Sequence, residues 1–251
     1  MDVLSLLGLL FAVASIVAGL LIEGGAFESL FNGAALLIVL GGTFGAVMVQ
    51  SQISMFLYSL RLMAWVFFPP RLPGQQDIRR IIEWSNIARK EGLLGLENIA
   101  EDESDIFARK GLQLLVDGNE PAVIKRVMQV EIDSRQQYNH HAACVVESLG
   151  RHSLVVGLIA AAIGLMQISA DPSDLHIMGA SLETALVALI YGFGFTQFVF
   201  VPFAAKLKYL VAAQARGQSM LLEGLLSIAE GENPRNIETK LQGFVNSAGS
   251  R

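Results

Sequence analysis

VLSLLGLLFAVASIVAGLLI, residues Val3 to Ile22, runs for twenty residues without a charge, with only Ser5 and Ser15 as polar breaks. A helix rises about 1.5 Å per residue, so this run covers the ~30 Å hydrocarbon core of a bilayer. No basic residue precedes the apolar run and no small-residue cleavage site ends it. It therefore reads as a first membrane helix and not as a removed signal peptide. Three further stretches carry no Asp, Glu, Lys or Arg: Asn32 to Val49, Ser153 to Ser169 and Thr184 to Ala205. A soluble chain of this size rarely holds even one such run. The sequence predicts an all-α polytopic membrane protein with four transmembrane helices and a cytoplasmic helical domain. The expected divisions are spans one and two over 1–50, the domain over 51–150, spans three and four over 151–207, and a helical tail over 208–251.

The rest of the chain takes up what the spans exclude. Mean hydropathy is +0.50 and only 16% of residues are charged, against about 25% in soluble domains. All 18 Lys and Arg fall between Arg61 and Arg151 or between Lys206 and Arg251. The connections EGGAFESLF (23–31) and ADPSDLHIMGAS (170–181) have none. Basic residues accumulate on the cytoplasmic side, which places both termini and the large domain in the cytoplasm.

Catalysis finds little support. Cys144 is the single cysteine, so no internal disulfide and no Cys-based metal spacing exists. His140 and His141 are adjacent and point about 100° apart on a helix, too far to share a metal. No nucleophile–base pair or phosphate loop is present. The expectation is a non-enzymatic protein with no cofactor and no nucleic-acid partner.

Between the spans, Asp77 is expected to cap a helix with Ile78, Ile81, Ile82 and Ala88 on one face, stopped by Gly92. Ser104 is expected to cap a second helix ending at Gly118. Asn119 with Pro121 opens a third that can run on into span three, and Asn233-Pro234 opens a last one. Within the spans the embedded polar groups are Thr43, Gln167, Tyr191, Thr196 and Gln197. Intramembrane carboxylates mark ion pathways, and here a partner must supply one. Gly41/Gly45, Gly157/Ala161 and Ala160/Gly164 form small-xxx-small pairs, which allow close helix packing within the chain or against another subunit.

Several segments, in order, resemble the MotA/PomA/MotC family, the A-subunits of the flagellar motor stator. They are ARKEGLLGLE (88–97), RKGLQLLVDG (109–118), GLIAAAIGLM (157–166), ALVALIYG (185–192) followed by Pro202 and Lys206-Leu207, and LLEGLLSIAEGENPRNIETKLQGF (221–244). The tail and LLGLE point to the PomA/MotC branch. The resemblance covers essentially the whole chain. It implies a homo-pentamer around a single-span B-subunit (MotB/PomB-like), which supplies the ion-binding aspartate and anchors to peptidoglycan. Ion flow would then drive torque on a rotor protein of the FliG kind, as part of flagellum rotation and chemotaxis.

By the same resemblance Arg89, Glu97, Arg109 and Lys110 face the rotor. Leu154, Gly157, Ala161, Ala188, Leu189 and Tyr191 stand along the ion path and face a partner's helices, and Pro202 is structural. The sequence departs from the family pattern in the membrane. Leu154 replaces a proline, Ala160-Ala161 a Gly-Thr pair, and Ala188-Leu189 a threonine pair. Hydroxyl ligands for sodium are thereby missing at Ala161 and Leu189, which favours protons as the transported ion. Two alternatives stand beside the stator: a proton channel subunit of the ExbB/TolQ kind, which has three spans, and a scaffold that assembles without conducting.

Overall fold

A computed structural model describes residues 3–72, 74–170 and 175–249. Ten α-helices carry nearly all of it: α1 (Val3–Ile22), α2 (Gly33–Gln50), α3 (Ile53–Leu62), α4 (Gln75–Glu91), α5 (Glu97–Asp102), α6 (Ile106–Val116), α7 (Pro121–Ala170), α8 (Leu175–Gly194), α9 (Val201–Ala229) and α10 (Pro234–Gly249). Three short 3₁₀ turns and one π-helical segment, Phe195–Phe200, complete the set, and there is no strand among the described residues. Four helical stretches are long and apolar enough to cross a membrane: Val3–Ile22, Phe27–Gln50, Pro121–Ile168 and Met178–Ala229. The acidic connection expected after span three includes residues 171–174, which lie outside the described residues.

The chain divides into two compact units, residues 1–69 with 140–208 and residues 70–139 with 209–251. In the first unit, α2 buries Ala35, Val39, Thr43 and Val47. These recur every fourth residue and so form one face of the helix. They pack with Ala160, Val187 and Ala188 on one level and with Val145, Leu149 and Phe200 on another. Lipid tails are as apolar as leucine, so helices in a membrane are held by close fit and not by exclusion of water. The fit is close where α7 meets α8, backbone against backbone. A Cβ built on Gly157 would lie 2.8 Å from the Gly192 Cα and 3.1 Å from the Ala188 carbonyl oxygen. One on Gly164 would lie 2.9 Å from the Ala185 Cβ. The glycines thus let backbone approach backbone. α1 differs from the other spans, because none of its residues is buried. Its Ser5 hydroxyl accepts a hydrogen bond from Lys206 Nζ at 2.6 Å, and the same ammonium donates to the Val66 carbonyl at 2.8 Å.

The units depart from the boundaries expected at 51 and 150. Helix α3 belongs to the first unit because Phe56 packs with Val145 and Leu149, and Leu62 with Ala142, Ala143 and Val146. The tail is not a separate division either. Leu225, Ile228, Ile237 and Leu241 join Ile78, Ile81, Trp84, Phe107, Leu112 and Met128 in one core of the second unit.

Helix ends mostly follow the sequence, with two corrections. The N-cap of α4 is Gly74, whose N–H donates to Asp77 Oδ2 at 2.9 Å. Asp77 therefore serves from inside the first turn. The N-cap of α6 is Asp105, not Ser104: its carboxylate accepts from the Phe107 N–H at 3.0 Å. Gly92 (φ +78°) and Gly118 (φ +70°) end α4 and α6 in the left-handed region that glycine adopts freely. Helix α7 runs from Pro121 into span three, as expected.

Gly157→Ala forces the α7 and α8 backbones apart and should lower stability by about 1–3 kcal/mol. Gly41→Ala meets nothing within 4 Å in the chain and should leave stability unchanged within about 0.5 kcal/mol, or raise it. Thermal unfolding of the detergent-purified protein compares the two.

Candidate functional site

In the second unit, α4 ends at Gly92 and the chain turns through a 3₁₀ segment, Leu93–Leu96, into α5. Two glycines shape this turn. Gly92 has a left-handed φ, and a Cβ on Gly95 would lie 2.7 Å from the Glu91 Cβ. Leu96 is fully buried and Leu93 is packed against the core. Arg89 and Glu97 stand on either side of the turn, both exposed. Neither has an ion pair or hydrogen-bonded side chain among the described residues.

The other two charges expected to face outward are engaged within the chain. Arg109 is half-buried, and its Nε donates at 2.8 Å to the Glu103 carbonyl oxygen, joined by Nη2 at 2.5 Å. Lys110 Nζ lies 2.6 Å from Glu131 Oε2, and Arg135 pairs with the same carboxylate at 2.7 Å. Arg109 thus holds the link between α5 and α6 in place, and Lys110 joins an exposed network worth little on its own.

Arg80 crosses to Glu103 in a charge-assisted pair and also packs over the Trp84 ring. Burial opposes the charged form of the Glu103 carboxyl. The Asp105 N–H, at 3.0 Å, and the Arg80 guanidinium outweigh it, so Glu103 is held below the usual carboxylate range.

In the first unit, part of the set expected to face a partner is packed within the chain itself. Gly157 is buried against Gly192 of the same chain, Ala188 is fully buried, and Ala161 is 6% exposed. The α7–α8 contact encloses them, because small residues are what permits that contact. Leu154 and Leu189 remain half-buried. Tyr191 is also half-buried, and its hydroxyl donates to the Leu30 carbonyl at 2.5 Å and accepts from the Asn32 N–H at 3.3 Å. Asn32 extends this link through Nδ2 to the Thr184 hydroxyl at 2.8 Å, and its Oδ1 caps α2.

Of the remaining hydroxyls, that of Thr196 lies 2.8 Å from the Gly150 carbonyl and 2.7 Å from that of Gly192. The Ser153 hydroxyl donates to Gly192 O at 3.4 Å. Pro202 is exposed just after the π-helical segment. A proline cannot donate to the carbonyl four residues back, and the π segment is where the ladder adjusts, with Val201 N–H bonded to the Thr196 carbonyl. Sequence reasoning missed the Asn32–Thr184–Tyr191 link. Asn32 as a polar residue at the start of an apolar run was its one available signal.

Among the described residues no group of His, Cys, Asp and Glu could hold a metal ion. The arrangement is therefore a charged turn presented by a helical unit, together with four helical stretches long and apolar enough to cross a membrane.

Together these features define a four-span helical membrane protein with a helical extramembrane unit. A sequence model of the MotA/TolQ/ExbB proton channel family matches residues 99–220. Motility protein A of Helicobacter pylori is 31% identical over 245 residues, covering 98% of this chain and 95% of that protein. The chain belongs to the motility protein A family. Among solved structures, C. jejuni MotAB gives a TM-score of 0.92 at 27% identity, over 97% of this chain and 96% of the other. The flagellar MotAB stator complex of Bacillus subtilis gives 0.85 at 28%, over 98% and 99%.

Protonating Glu103 removes its pairing. Since its carboxyl is held below the unfolded value, its contribution is complete at neutral pH and is lost as pH falls through the lowered folded-state value. Glu103→Gln should therefore lower the melting temperature at pH 7, and the difference from wild type should narrow on acidification. A constant difference across that range would contradict the assignment.

Proposed function

We propose that this chain is the A-subunit of a flagellar motor stator, multi-pass in the bacterial inner membrane with both termini cytoplasmic. It forms a homo-pentamer around a single-span B-subunit that supplies the ion-binding aspartate. Ion flow turns the ring, and the extramembrane unit pushes on a FliG-like rotor protein through the turn bearing Arg89 and Glu97. The subunit transmits force and catalyses no reaction. The observation that carries this reading is the likeness to MotAB stator chains along the whole length, not in the spans alone. The four spans also set the chain apart from the three-span ExbB/TolQ kind. The distribution of basic residues supports the orientation.

The energetics suffice. One charge crossing ~100 mV releases ~2.3 kcal/mol, so about 150 mV biases a step by a few hundredfold. With no hydroxyl at Ala161 or Leu189, the path suits a proton carried on one partner carboxylate better than a sodium ion needing an oxygen cage.

Arg89→Glu and Glu97→Lys should each cut motility while the complex still assembles, with partial recovery on the opposite charge reversal in the rotor protein. Normal swimming in both single variants would remove the rotor contact from this turn. Swimming speed at fixed membrane potential should not change as sodium is varied. Strong sodium dependence would overturn the choice of proton, and absence of flux under either ion, with a matched B-subunit, would favour a scaffold.

A further inference from the structure

Among the described residues of the second unit, three aliphatic side chains are more than half exposed: Leu94 at 70%, Ile106 at 67% and Val130 at 64%. Isolated exposed leucines are ordinary, so exposure by itself decides nothing. Leu94 differs in how it is held. It sits inside the turn Leu93–Leu96, between a leucine packed on the core and a fully buried one. The 3₁₀ geometry eclipses residues three apart, so Leu93 and Leu96 share the inward side and Leu94 is turned away from it. Two glycines permit the turn: Gly92 is left-handed, and at Gly95 a side chain would strike Glu91. Leu94 is thus a large exposed apolar group within the turn that separates Arg89 from Glu97, two exposed charges with no ion pair or side-chain hydrogen bond among the described residues. An apolar anchor inside a charged rim is the anatomy of an interaction hot spot. Neither Ile106, the first residue of α6, nor Val130, inside α7, has this setting.

We propose that Leu94 is the apolar anchor of the rotor contact. It inserts into an apolar socket on the rotor protein, rimmed by a carboxylate opposite Arg89 and a cation opposite Glu97. This rests on the stator reading above and adds a division of labour within it. The charges set orientation and approach, and the leucine gives the contact its hold. An interface built on the two charges alone would weaken steeply with salt. One with a buried leucine at its centre retains affinity when the charges are screened.

The test compares Leu94→Ala, Leu94→Asp and Leu94→Met in the full stator complex, beside Arg89→Glu and Glu97→Lys. Binding of the purified complex to the purified rotor protein should fall about tenfold for Leu94→Ala and further for Leu94→Asp. Leu94→Met, of similar volume, should stay within about twofold of wild type. The melting temperature and the mass of the complex should not change, because the side chain lies outside the core. Raising the salt concentration should weaken wild type only moderately, and Leu94→Ala much more. A lowered melting temperature for Leu94→Ala would show that the leucine supports the fold, and the proposal would fail. Wild-type binding by both Leu94→Ala and Leu94→Asp, with the charge reversals still impaired, would overturn the anchor and leave the stator reading standing. Undiminished binding and motility in all four disruptive variants would sink the rotor contact itself, and the anchor with it.

Discussion

Gly157 and Gly192 touch through their backbones, and the membrane unit is organised around that contact. In lipid there is no water to expel from between helices, so attraction comes from short-range packing. With no side chain on either residue, α7 and α8 come close enough for backbone atoms to make the contact directly. Ala161, Ala188 and Gly164 extend the same seam. α2 then packs its Ala35–Val39 face on what the seam presents. At one end, Tyr191 and Asn32 tie α2 to α8 by hydrogen bonds. The larger side chains of these helices are left to face outward, with Leu158, Ile159 and Leu186 each half or more exposed.

The extramembrane unit is built on the opposite principle. Its core is a conventional one of Ile, Leu, Phe and Trp side chains shielded from water. It draws on two stretches of chain far apart in sequence, before span three and after span four. Glycine serves there at the ends of helices, and Arg109 grips the Glu103 carbonyl to fix the corner between α5 and α6. Of four charges that resemble rotor contacts, two maintain this architecture and two are left to face solvent. The distinction depends on which partners lie within reach, and that is set only by the tertiary fold.

The same limit explains what the sequence disclosed. A run such as Val3–Ile22 excludes charge so completely that its setting is unambiguous, and the helix stop at Gly92 follows from backbone sterics alone. Helix α3 was hidden because ten residues with Phe56, Ser59 and Leu62 inward are too few to stand out beside a neighbouring span. Asp77 and Asp105 show how caps mislead by a few residues: Asp, Ser and Gly can each serve at several positions of a first turn. Small-residue spacing at Gly157, Ala161 and Ala188 announced a close helix neighbour. It carried no information on whether that neighbour lay in the same chain. The turn at Leu93–Leu96 was legible as a charged motif, but the outward direction of Leu94 required knowing that Leu93 and Leu96 point in.

The π-helical segment Phe195–Phe200 sets the register of the helix that follows it. One widened turn accommodates one more residue than an α-helix would, so every later position is rotated by about 100° relative to an uninterrupted helix. Phe203, Ala204 and Leu207 pack into the core on this shifted register. The inward face downstream thus depends on the number of residues in this stretch as well as on their type, and Pro202 stands at the border of the widened turn.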